Sequence, residues 1–201
     1  MAASTLEDDL GNIQLRLGEV WQTFAVERAL NELANEQADP ELYAAVCKCG
    51  AFWQTASVAL QTSMLIGIFA LLDRDDPDGA TLYSIVREIR KTNSTPTFVG
   101  VEARLDQIRD RYKKYRHKLF GHNDKERLEF AKKFDVAGFT WEQFGKDFLF
   151  LDYVWKAVKL ASEGIPIPCE GDAPGLHFAH NHAVDQAIAH TKKLLADVRT
   201  K

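Results

Sequence analysis

Arg116 and His122 are the two side chains in this sequence whose types and spacing can do chemistry without a bound cofactor. A neutral imidazole near pH 7 can take the proton from a ribose 2′-hydroxyl, or return one to a departing 5′-oxygen. A guanidinium presents a two-pronged fork to a phosphate and to the extra charge of its transition state. Together they could cleave RNA with no metal. DNA lacks the 2′-hydroxyl, so such a site would select RNA without contacting a base.

The elements around the pair must bring it together. An unbroken helix would set residues 116 and 122 about 120° apart, which does not converge on one phosphate. Gly121 supplies a break, because glycine suits the left-handed position just past a helix C-terminus. Asn123 then reads as the N-cap of a new helix, with Glu126 three residues on. The expectation is that His122 sits in a tight turn folded back toward Arg116, beside a helix N-terminus that favours an anion. Arg116 itself falls about 40° from Tyr112, at the edge of an apolar stripe.

The approach to the turn is the most basic stretch of the chain. It holds Arg104, Arg109, Arg111, Lys113, Lys114, Arg116, His117 and Lys118 against Asp106 and Asp110. A charge run alone is ordinarily a solvated helix face. Placed before an Arg–His turn, Arg109, Lys113 and Lys118 become candidate RNA contacts.

The segment YRHKLFGHND, residues 115–124, resembles the Arg-x(4–6)-His motif of the HEPN superfamily, and more narrowly its abortive-infection AbiU-type branch. The resemblance extends to a long apolar helix ending in ALLDRDDPDGATLYSIVREI and to the basic helix after it, over roughly residues 5–163. It implies a helical bundle that dimerises, so that two motifs share one cleft. It further implies a metal-independent endoribonuclease, often the toxic half of a defence or toxin–antitoxin system with an antitoxin partner. Arg116 and His122 match the two fixed positions. His117 stands where the family commonly has asparagine, and Asp124 lies in a short polar extension that would orient His122 or Lys118. Family members silenced by AMP transfer carry tyrosine at the position of Asp124, so that mode of inhibition is not expected here. Some members keep the fold and only bind RNA or protein, which is the alternative reading.

Composition sets the frame. A length of 201 residues, with 46% hydrophobic and 27% charged residues, suits a globular chain with a real core. A formal net charge of −4 argues against coating nucleic acid by bulk electrostatics, so RNA contact must be local. Three cysteines suggest no disulfide framework and, with no signal peptide at the start, a cytoplasmic setting.

Apolar residues step by three and four, with no run of period two, which predicts an all-α fold. Helices are expected at about 5–37, 40–72, 81–91, 96–119, 124–134, 140–163 and 182–199. Residues 1–163 would form the bundle, and 164–201 a Pro- and Gly-containing loop with a docked C-terminal helix. Residues 50–72 carry no charge and are long enough to span a bilayer. Recurrent Gln, Thr and Ser make a central helix wrapped by others the better reading, with no membrane partner. Cys49, Tyr112 and Tyr115 fall on apolar stripes and read as core, although tyrosines could also stack on bases. His177, His180 and His182, near His190 and Cys169, have metal-like spacing but no defined fourth ligand, so neither metal nor cofactor is expected.

Overall fold

The computed structural model describes residues 5–33, 40–75, 79–92, 98–120 and 140–167, with Gln186, Ala189, His190 and Lys193. Among the described residues the regular structure is helical throughout, as expected, and no strand occurs. Six helices are defined among the described residues: α1 Leu6–Leu33, α2 Pro40–Lys48, α3 Gly50–Leu71, α4 Leu82–Thr92, α5 Val101–Phe120 and α6 Trp141–Ser162.

Local chemistry explains where several of them start and stop. Thr5 caps α1: its Oγ1 accepts from the Asp8 amide at 3.2 Å, and Asp8 accepts from the Thr5 amide at 3.2 Å. Thr81 and Ser84 exchange the same reciprocal bonds at the start of α4. Thr140 caps α6, accepting from the Gln143 amide at 3.1 Å. The Gln143 side chain does not close a capping box and donates forward to Asp147 at 2.9 Å. The other end of α6 closes in a Schellman turn. Gly164 takes φ 71°, its amide donates to Ala161 at 3.2 Å, and Ile165 donates to Leu160 at 2.9 Å.

Two expected boundaries move. The helix foreseen at 40–72 is two helices meeting at Cys49, whose carbonyl accepts from Phe52 and Trp53. Gly50, a poor helix former, opens the second. Cys49 is exposed at this junction, as is Cys47, so Cys49 is not a core residue. The helix foreseen from 96 begins at Val101 instead, because Gly100 sits in the left-handed region at φ 81° and cannot continue a right-handed helix. The helix foreseen at 124–134 lies outside the described residues.

The chain divides into two compact units, residues 1–17 with 68–173 and residues 18–67 with 174–201. In the first, α4 packs chiefly against α6, and α5 packs on both. Its core includes Ile85, Leu105, Tyr112, Phe144, Phe148 and Leu151. Trp155 donates its indole N–H to the Leu10 carbonyl at 2.8 Å, tying the first turns of α1 to α6.

In the second unit α1 and α3 come close enough that a methyl group on Gly67 would lie 2.4 Å from Val20 Cγ2. Fully buried Glu27 accepts there from Asn31, Ser57 and Gln61, all on Oε1. Helix α3 has the length and apolar composition to cross a membrane. Met64, Leu65, Ile68 and Leu71 are buried along its second half. Phe52 and Ile66 are 65% and 61% exposed, so the expectation of a helix wrapped on all sides holds only in part.

Candidate functional site

Helix α5 carries the chemistry-bearing segment, and its sequence explains its orientation. Val101, Leu105, Ile108, Tyr112 and Tyr115 recur by four and three and are all buried, forming one seam against the core. Tyr112 meets Tyr115 and Phe144 edge-on, with ring centroids 5.5 and 6.2 Å away. Both tyrosines are thus core residues, as expected, and are not available to stack on bases.

The flanks of the seam are charged, and the charges are largely matched. Arg104 lies 3.8 Å above the Phe150 ring. Asp106 accepts from Tyr83 at 2.9 Å and pairs with Arg74 and Arg109. Arg109 also pairs with Asp110 at 3.2 Å. Burial works against the Arg109 charge, but the Asp110 bond and the Asp106 carboxylate hold it more firmly protonated than usual. Burial, reinforced by the bond to Asp106, pushes the Tyr83 phenol well up.

One turn further on, Asp147 of α6 is 5% exposed and binds Arg111 through one oxygen and Gln143 through the other. Burial opposes the Arg111 charge here too, yet Asp147 outweighs it and raises the guanidinium pKa. The Tyr112 hydroxyl is buried beside Asp147 without a hydrogen-bond partner among the described residues. Burial first, and the Asp147 charge second, push its phenol far up, and burial raises Tyr115 as well. Sequence reading missed Asp147. The available signal was its position four residues after Gln143, on the same face of a capped helix.

Of the candidate residues, Lys113 is exposed on α5, and so is its neighbour Lys114. Arg109 is engaged by two carboxylates and its side chain is 24% exposed. The helical backbone of α5 continues through Arg116, His117 and Lys118 to Phe120. The side chains of those three residues, together with Gly121, His122 and Asp124, lie outside the described residues. So do His177, His180, His182 and Cys169. No group of metal-ligating side chains occurs among the described residues.

A family model for AbiU2, within the HEPN group, matches residues 4–158. The chain belongs to the AbiU2 family of HEPN domains. No curated protein and no solved structure matches it. In this HEPN domain the matched region takes in all of α1 to α5, most of α6 and the whole 115–124 segment.

Proposed function

We propose that this HEPN domain is a metal-independent endoribonuclease, acting in defence or as a toxin. The carrying observation is that the family match spans an Arg116–His122 segment which begins within the basic helix α5 and runs past its end. His122 removes the proton from a ribose 2′-hydroxyl, whose oxygen forms a new bond to the adjacent phosphorus. The bond from phosphorus to the 5′-oxygen breaks, and that oxygen leaves as a hydroxyl after receiving a proton. Arg116 holds the phosphate and its added charge. The products are a 2′,3′-cyclic phosphate and a 5′-hydroxyl end, so the step consumes no water. Gly121 allows the turn that the pair requires, His117 takes the polar position after Arg116, and Asp124 orients His122 or Lys118. Two copies in a homodimer would bring two motifs to one cleft, in the cytoplasm and under control of an antitoxin or other defence partner.

Replacing the target RNA by its 2′-O-methyl form tests the step at the atom that matters. The expected result is loss of cleavage with binding retained. Cleavage of the methylated strand at a comparable rate would contradict the mechanism. Unmodified RNA that binds but is never cut would favour a non-catalytic RNA-binding HEPN domain.

A further inference from the structure

Most of the described basic side chains of α4, α5 and α6 are engaged within the protein. Arg87 and Arg90 face Glu102, Lys91 faces Glu88, Lys146 faces Glu142 and Lys156 faces Asp152. Arg109 and Arg111 are held by aspartates, and Arg104 and Lys159 lie over aromatic rings. Among the described side chains of these helices, Lys113 and Lys114 are the exceptions: both are exposed and neither has a partner.

Their isolation is built into the helix. Asp110 is the one acid at helical reach, three residues before Lys113 and four before Lys114, and it is bonded to Arg109 instead. On the C-terminal side the same register meets Arg116, His117 and Lys118, all of them basic. Like charges at these spacings destabilise a helix. Helix-dipole compensation does not account for the pair, because that effect is confined to the last turn and α5 runs on to Phe120. A local positive field that the fold leaves unmatched, in a protein of net charge −4, is suited to an external polyanion.

We infer that Lys113 and Lys114 form a docking track for the phosphate backbone of single-stranded RNA, leading the strand toward Arg116. The choice of RNA as the anion rests on the function proposed above. Phosphate contact, without base stacking, fits the burial of Tyr112 and Tyr115.

The test uses the full chain carrying His122→Ala, so that binding is read apart from cutting, with a fluorescein-labelled oligouridylate titrated at several salt concentrations. Lys113→Gln with Lys114→Gln should weaken binding about tenfold and flatten the slope of log affinity against log salt by about 1.4, two single-strand phosphate contacts. Arg109→Gln should change the slope little. The deoxy strand should show the same dependence on the lysines. An unchanged slope in the double variant, an equal loss from Arg109→Gln, or competition by polyglutamate peptides but not by RNA would each overturn the inference. Lysine-dependent binding by a chain that never cuts RNA would uphold it while refuting the nuclease. A cutting enzyme indifferent to both lysines would do the reverse.

Discussion

At the scale of single residues, the most consequential group outside the Arg–His motif is the Asp147 carboxylate. It is nearly inaccessible, while its partner Arg111 keeps about a third of its side chain in solvent. Removing the two partners should therefore have unequal effects. Arg111→Leu leaves a buried anion with only Gln143 as a neutral donor and should cost about 3 kcal/mol. Asp147→Asn leaves a cation that can reach water and should cost about 1–2 kcal/mol. Urea unfolding of both variants measures the asymmetry, and equal losses would contradict the burial argument. The Thr140-x-x-Gln143 spacing marks a cap in the sequence, but where the Gln143 side chain goes is not readable there. Gln143 has two acceptors within reach, and only the packed position of α6 shows that the buried carboxylate wins over the exposed backbone amide.

At the scale of elements, the apolar periodicity located every helix of the described chain, and errors arose where a glycine overrode it. Gly50 and Gly100 interrupt patterns whose three-four stepping continues on both sides, so a stripe alone could not reveal the breaks. Gly164 stands just past the expected end of the 140–163 helix, and the Schellman bonds show why it stops there. The site was less legible than the fold. The seam of α5 predicts which side faces inward, yet the pairing of Arg109 and the isolation of Lys114 depend on which rotamer each aspartate adopts. Two glycine substitutions separate distinct physical causes. Gly164→Ala forces a side chain into φ 71° with open space around it and should cost about 1–2 kcal/mol from backbone strain alone. Gly67→Ala keeps an ordinary helical conformation but drives a methyl group into the stiff Val20 side chain, and should cost about 1–3 kcal/mol from overpacking. A second change, Val20→Ala, should rescue the Gly67 variant and leave the Gly164 variant unaffected in thermal melts.

At the scale of the whole molecule, charge and burial set the response to pH. Tyr83, Tyr112 and Tyr115 all have phenols raised by burial in the folded state, against about 10 in an unfolded chain. A group whose pKa is raised on folding gives stability that is complete below its unfolded value. That stability is lost as pH rises through the folded value, because only the unfolded chain ionises readily. The protein should therefore lose stability above about pH 10, with phenolate absorbance of these three tyrosines appearing together with loss of helical circular dichroism. Phenolate signal from all five tyrosines while the helices persist would contradict the packed α4–α5–α6 core.

The proposed nuclease depends on Arg116 and His122, and RNA cleavage in EDTA by the wild type, Arg116→Ala and His122→Ala tests them together. The wild type should cut without metal, and each variant should fall by at least about a hundredfold, the usual contribution of a positioned acid–base or phosphate-stabilising group, while melting like the wild type. Equal cutting by all three proteins, or activity that returns only when a divalent metal is added, would contradict it.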